Sequence, residues 1–369
     1  MSKIDIIHIF APNVLAGAER VVITGLNALV KEKINLTLFV IRELRAPQHA
    51  KDFVELLDPQ IKIVFLDSKK ALDLNLINEL KKQLQKYNQQ STIIHTHGYK
   101  ALLMLRLSKG TQNYHVVHTH HGNTSHTIKV KIYEWWAQKV MQKIDAVICV
   151  SEEMKKKLSA IIHQEKLIVI ENMLSFQNAE KIRNERKNLI LKHPIQLLYV
   201  GRLSPEKGIL HFLKIFSQLE MKDKFLLHIV GDGPQRKDLE TFLDEVHLKN
   251  VTLYGFLKDP SPHFKTAHAL IMPSFTEGLP MTLIEALASG LPVIATNVGA
   301  ISSLLINYEN GLLLEDNDEK TWNNSLKFLI ENIEKINSTT LTEAINIENK
   351  YSAKRWVEKT MELYLLSLK

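Results

Sequence analysis

The sequence predicts an α/β protein of two tandem, doubly wound domains facing a central cleft. Three observations carry this. Short apolar runs rich in β-branched residues alternate with helix-period segments along all 369 residues. The pattern restarts after a polar stretch near the middle. Each half opens with a strand, a glycine-containing loop and a helix, the order of a Rossmann-like domain.

In the first half, "IDIIHIF" reads as a strand, "AERVVITGLNALVKE" as a helix and "NLTLFVI" as the next strand. "IKIVFL", "TIIHTH", "HVVHTHH", "AVICVS" and "LIVIEN" continue the series. Runs that are continuously apolar fit parallel sheets covered on both faces. Residues 176–194, "FQNAEKIRNERKNLILKHP", are polar and poor in strand signals, and are expected to be a linker. The second half begins with strand "IQLLYV", loop "GRLSPEKG" and helix "ILHFLKIFSQL". "FLLHIVG", "VTLYGFL", "ALIMPS" and "LPVIAT" follow as strands. The segment "SAKRWVEKTMELYLLSLK" is an amphipathic helix whose stripe is expected to include Trp356, Met361 and Leu365. The expected domains are therefore 1–175 and 195–350, with a docking helix over 351–369.

Composition excludes several classes. An apolar content of 45% with 24% charged residues is that of a soluble globular protein. The single cysteine, Cys149, rules out an internal disulfide and suits a reducing compartment. In "DAVICVS" it reads as a buried structural thiol. The start "MSKIDIIHIF" lacks the form of a signal peptide, and no apolar run is long enough to span a bilayer as a helix. A cytoplasmic protein is expected. The formal charge of +7 points to a polyanionic partner: nucleic acid, an anionic membrane face or a phosphorylated small molecule. Zinc-ligand spacing and RNA-recognition or helix-turn-helix signatures are missing, so nucleic acid is not expected.

Open α/β sheets bind ligands beyond the carboxyl ends of their strands. In "YVGRLSPEKG", Gly201 permits close approach, while Arg202 and Lys207 supply a planar fork and a point charge suited to a diphosphate. The bland alternative is a pair of solvated cations. "IVGDGPQRKDLE" lacks the third glycine of a dinucleotide fingerprint, so Gly231 and Gly233 are read as turn residues. In "SFTEGLPMTLIEALASGLPVIATNVG", Pro280 suits the first position of a helix and Gly290 the position just past its end. Thr282, Glu285 and Ser289 share one face of that helix. Its free N-terminal amides form a phosphate site, and because proline has no N–H, Met281 and Thr282 must donate. Glu277 and Glu285 are either solvated charges or clamps for the diols of a sugar.

These residues resemble those of glycosyltransferase family 4, retaining enzymes of the GT-B fold. The resemblance covers nearly the whole chain. Its most specific part is the Glu277-x7-Glu285 stretch; "GRLSPEKG", "GDGP", "NGLLLEDND", "AGAER", "HTHHG" and "VSEEMKKKL" follow the family's order and spacing. The resemblance implies that Arg202 and Lys207 bind the donor diphosphate, that Glu285 holds the ribose diol and that Glu277 holds hydroxyls of the transferred sugar. Amides after Gly278 would support the sugar and β-phosphate. Gly17 would lie in a loop closing near the phosphates. His121 matches the histidine near the reacting centre, with His120 and His118 as alternative registers. The implied donor is a nucleotide sugar, UDP-sugar favoured over GDP-sugar, with no other cofactor and no metal. The implied acceptor is a saccharide or lipid-linked saccharide of a bacterial surface polysaccharide.

The chain also departs from the family pattern. Ala16 replaces the first loop glycine, Ser303 stands where an acidic residue is common, and "ENML" replaces "PNG" around Asn172 and Met173. These departures bear on donor choice. His95, His97, His118, His120 and His121 invite a metal reading, but cleft-lining histidines are preferred. Asp316 and Asp318 are read as a helix cap. Helix "KVKIYEWWAQKVMQK" sets Lys129, Lys131, Lys139 and Lys143 beside Tyr133, Trp135 and Trp136. It is either an ordinary amphipathic helix or a contact with anionic lipid. Two rival functions remain: a nucleotide-sugar 2-epimerase on the same fold, and a non-catalytic saccharide-binding scaffold.

Overall fold

A computed structural model describes residues 4–15, 17–70, 73–121, 128–173, 178–189 and 193–368. It divides into two compact units, Met1–Ser175 with Tyr351–Lys369, and Phe176–Lys350.

The first unit runs β1 (Ile4–Phe10), α1 (Gly17–Leu29), β2 (Ile34–Glu43), α2 (Pro47–Val54), β3 (Lys62–Ser68), α3 (Leu74–Leu84) and β4 (Thr92–His97). It continues α4 (Gly98–Leu107), α5 (Gly110–Asn113), β5 (His115–His120), α6 (Ile128–Met141), β6 (Ala146–Cys149), α7 (Glu152–Ser159) and β7 (Leu167–Val169). Its seven strands are parallel, in the order β3-β2-β1-β4-β5-β6-β7. The continuous apolar runs are buried as expected: Ile6, Ile7, Ile9, Ile93, Ile94, Val116 and Val117 are fully enclosed. Full burial of each such side chain stabilises by about 1.5–3 kcal/mol. Cys149 lies in this core, and burial pushes its thiol up to about 11. It is therefore an inert core residue.

The second unit runs α8 (Ala179–Arg186), β8 (Ile195–Val200), α9 (Ile209–Gln218), β9 (Phe225–Val230), α10 (Arg236–Val246), β10 (Val251–Gly255) and α11 (Ser261–Thr266). Then come β11 (Ala269–Met272), α12 (Met281–Ala288), β12 (Val293–Thr296), β13 (Gly311–Leu314) and α13 (Glu319–Lys350). Its parallel sheet has the order β10-β9-β8-β11-β12-β13. Asp318 caps α13, its Oδ1 accepting from the Thr321 amide at 2.8 Å.

Two expectations need correction. The stretch 176–194 is not a bare linker: within it α8 packs into the second unit through two buried arginines. The Arg186 guanidinium donates to the carbonyls of Phe264, Ala267 and Gly290 and to Asn337 Oδ1. Arg183 donates to the Ala288 carbonyl and to Glu348. These carbonyls end α11 and α12, where positive charge is favoured. The arginines made the segment look solvated, whereas they clamp the C-terminal end of α12. The second correction concerns α14 (Ala353–Ser367), which packs with the first unit. Its buried face is Trp356, Val357, Thr360, Leu363 and Tyr364, while Leu365 is exposed.

Candidate active site

In the second unit, β8 and β11 are neighbours at the point where strand order reverses, the usual place for a ligand crevice. The loops that follow these two strands are stitched together. The Phe275 amide donates to the Glu206 carbonyl at 2.9 Å. Gly208 has φ +66°, and a Cβ there would fall 1.9 Å from the Pro273 carbonyl oxygen, so only glycine allows this approach. Asn317 Nδ2 donates to that same carbonyl at 2.9 Å and is itself held by the Trp322 indole.

This stitching brings Lys207 onto Glu277. The ammonium lies 2.8 and 2.7 Å from the two carboxylate oxygens, and Ser274 Oγ donates to Glu277 Oε1 at 2.7 Å. The Glu277 side chain is 5% exposed and that of Lys207 29%, so the pair faces outward through the lysine. Behind it, Gly299 has φ +61°, and a Cβ would lie 2.2 Å from the Glu277 carbonyl oxygen. That contact and the Ala300 amide bonded to the Gly278 carbonyl at 2.9 Å fix the loop. A Cβ on Gly278 would meet open space, so its backbone is approachable. Arg202 is exposed, and its carbonyl is anchored by the Tyr199 hydroxyl at 2.8 Å.

Pro280 does not start α12 at the first helical position. With φ −74° and ψ 123° it is the residue before the helix, and Met281 begins it. Among the described residues no side chain caps this end. The Met281 and Thr282 amides have no acceptor within the helix. Gly290 follows the helix with φ +71°, as expected. Glu285 differs from a solvated charge: it is buried. Sequence reasoning placed it on a polar stripe because its helical neighbours Thr282 and Ser289 are polar. Ser289 is in fact fully buried, with its hydroxyl donating to the Glu285 carbonyl at 2.7 Å. Ser274, Gly208, Gly299 and Asn317 were not singled out. Glycine-plus-polar strand ends were their only signal.

In the first unit, Gly17 is exposed at the start of α1; Ala16 lies outside the described residues. His8 on β1 sits opposite His95 on β4, at the strand-order reversal of this sheet. His8, His95 and His97 are buried rather than solvent-facing. His118 is buried on the opposite face, bonded to Thr96 Oγ1 at 2.9 Å, and His120 follows that side. His121 returns to the His97 side, with Nε2 3.3 Å from His97 Nδ1. His121, His97 and His8 line a cavity of about 10 Å³ together with Thr119, Asn172 and Trp356. Burial holds His121 down to about 4 and His8 to about 3, so both are neutral imidazoles near pH 7.

His8, His95 and His97 each offer a nitrogen within 4.8 Å of the others, the separation of a metal site. Their rings, however, stack: His97 lies at 19° to His8 and 27° to His95. His8 and His95 are tilted by 42°, but a metal sits near the plane of each imidazole, and a His97 ring stacked on both neighbours does not aim its plane at an ion they share. All six ring nitrogens also have partners, namely one another, Tyr364, Thr119 and His121. The trio reads as a hydrogen-bond chain.

On α6, Trp135 and Ile132 are 60% and 58% exposed, with Lys139 Nζ 5.8 Å above the Trp135 ring. Tyr133 and Trp136 turn inward against the core. The side chain of Lys129 lies outside the described residues. No helix among the described residues is long and apolar enough to cross a membrane.

Two family models match in tandem: Glycosyltransferase Family 4 over residues 15–176 and Glycosyl transferases group 1 over residues 180–340. The UDP-Gal:alpha-D-GlcNAc-diphosphoundecaprenol alpha-1,3-galactosyltransferase of Escherichia coli is 25% identical, over 99% of this chain and 97% of its own. The capsular polysaccharide biosynthesis glycosyltransferase CapM of Staphylococcus aureus is 27% identical over 65% of this chain and 68% of its own. Among solved structures, Anabaena HepE in complex with UDP and glucose superposes with a TM-score of 0.80 at 17% identity, covering 98% of this chain and 99% of that one.

Proposed function

Because the chain belongs to the family 4 glycosyltransferases of the GT-B fold, we propose that it moves a hexose from a UDP-sugar to a hydroxyl of a lipid-linked saccharide, with retention at the anomeric carbon. Among the findings, the one that carries this reading is the Lys207–Glu277 pair beside the uncapped end of α12. An ammonium has three N–H groups, and Glu277 takes two. The third is left for a phosphate oxygen, so Lys207 bridges the carboxylate to the departing diphosphate and screens one anion from the other.

In this reading Arg202 and the Met281 and Thr282 amides supply the remaining donors. Charge developing on the diphosphate then meets fixed positive groups. Glu277 accepts from hydroxyls of the transferred sugar, Glu285 from the ribose diol, and His121 acts near the acceptor hydroxyl. The diphosphate charge is met by this chain's own groups, and no metal is required. The uridine and the acceptor class follow the E. coli and Anabaena relatives, and a role in surface polysaccharide synthesis follows the E. coli and S. aureus ones.

The test is turnover of a radiolabelled nucleotide-sugar panel with and without an undecaprenyl-diphosphate-linked sugar. Labelled glycolipid of retained configuration is expected with UDP-hexoses. A sugar isomer formed without acceptor points instead to an epimerase, and no turnover with any donor to a binding scaffold.

The exposed Trp135 and Ile132, with Lys131, Lys139 and Lys143 around them, are proposed as the contact with an anionic membrane that presents the acceptor. Vesicle co-sedimentation is expected to rise with anionic lipid and fall with salt. Binding indifferent to both rejects the membrane contact.

A further inference from the structure

One unbroken hydrogen-bond chain joins the C-terminal helix to His121. The Tyr364 hydroxyl contacts His95 Nδ1, and it lies 3.1 Å from His8 Nε2. His8 Nδ1 is 2.9 Å from His97 Nε2, and His97 Nδ1 is 3.3 Å from His121 Nε2. At the other end, His95 Nε2 is 2.7 Å from Thr119 Oγ1. His121 Nδ1 is buried and has no partner among the described residues.

Each neutral imidazole has one donor and one acceptor, so the whole chain runs in one of two senses. In the first, Thr119 donates to His95, His95 to Tyr364, Tyr364 to His8, His8 to His97 and His97 to His121. His121 then carries its proton on Nδ1. In the second, His121 donates to His97, His97 to His8, His8 to Tyr364, Tyr364 to His95 and His95 to Thr119. Nδ1 is then a lone pair. Among the described residues, each sense leaves one hydrogen unpaired: the His121 Nδ1–H in the first, the Thr119 hydroxyl in the second. An unpaired buried donor costs about 1–3 kcal/mol, so the two senses are closely balanced. What stands against His121 Nδ1 decides between them. An anionic oxygen selects the N–H, and a hydroxyl selects the lone pair.

We propose that Tyr364 is a positioning residue for His121, acting through His8 and His97 to set which ring nitrogen of His121 carries the proton. Tyr364 is the pivot because its hydroxyl is the one link that donates to one histidine while accepting from another. The neutral His121 thereby faces an attacking hydroxyl as acceptor, or a phosphate oxygen as donor, without becoming charged. This rests on the reading that His121 lies near the reacting centre, but the tautomer itself is measured without activity.

The experiment is ¹⁵N NMR of histidine-labelled full-length protein, native and Tyr364→Phe, with thermal unfolding in parallel. His8→Leu cuts the same chain one link nearer His121. In the native protein His121 is expected as a mixture of the two tautomers, and UDP is expected to shift the ratio toward Nδ1–H. In both variants the ratio is expected to lie toward Nδ1–H before UDP is added, because the second sense then leaves a buried N–H of His8 or of His97 unpaired, and UDP shifts it less. Where transfer is observed, Tyr364→Phe is expected to lower kcat about tenfold while donor KM stays within about twofold, a fraction of what acid–base groups usually contribute. A His121 tautomer ratio identical in the native protein and the folded variants overturns the proposal. Absence of transfer by the native protein counts against the function and leaves the tautomer readout to decide the relay.

Discussion

Between pH 6.5 and about 4 the first unit is expected to lose most of its stability. His8, His95, His97, His118 and His121 are all held well below the ordinary imidazole value, chiefly by burial, and the neighbouring imidazoles lower the last four further. Unfolding releases them to about 6.5. In that window the unfolded chain binds more protons than the folded one, so stability falls as pH falls. Each group contributes up to about 1.4 kcal/mol per pH unit. Several acting together remove the 5–15 kcal/mol of a typical domain within about two units. Urea unfolding at a series of pH values checks this. A midpoint that stays level from pH 7 to pH 4.5 contradicts the neutral, buried assignment of these histidines. Carboxylates held low, such as Asp73 by amide hydrogen bonds from Lys69, Asn75 and Leu76, lose their contribution only from about pH 5 downward, so the fall between pH 6.5 and pH 5 reports the histidines.

Lys207→Ala is expected to lower kcat by about 10²–10³, the usual effect of removing a donor from a site of developing negative charge. Two losses coincide. The phosphate loses a cation, and Glu277 is left as an uncompensated, nearly buried carboxylate facing it. The fold should persist, because the lysine is partly exposed and makes no other side-chain bond among the described residues. Lys207→Ala/Glu277→Gln should recover thermal stability without recovering transfer. Near-native activity in the single variant, measured as kcat/KM with saturating acceptor, removes Lys207 from the site.

The two parallel sheets were legible because their strands are continuous apolar runs, a pattern that depends on local sequence alone. The residues of the proposed donor site were legible in part, for a similar reason. Lys207 and Glu277 lie in loops that follow strands and Glu285 lies in the helix after one, and such positions are readable one by one. The contact of Lys207 with Glu277 was not readable, because it depends on Gly208 and Gly299 admitting a carbonyl from a distant loop. The burial of Glu285 was not legible, since helical spacing reports which residues share a face but not what covers that face. Arg183 and Arg186 hid in a stretch that looked like linker; the carbonyls they cap are 78 to 105 residues further along. Tyr364 was invisible for the same reason, being 356 residues from His8 and 269 from His95.

The central claim is a division of labour between two glutamates on the second unit, Glu285 for the nucleotide's ribose and Glu277 for the moving sugar. Calorimetric titration of UDP and of the UDP-sugar into the native protein, Glu277→Ala and Glu285→Ala tests it most directly. Loss of a hydrogen bond to a charged group costs about 1.5–3 kcal/mol, or roughly ten- to a hundredfold in Kd. Glu285→Ala is expected to weaken both ligands by that factor, and Glu277→Ala to weaken the UDP-sugar while leaving UDP nearly unchanged. Equal effects of both substitutions on both ligands, or no effect of either, would contradict the account.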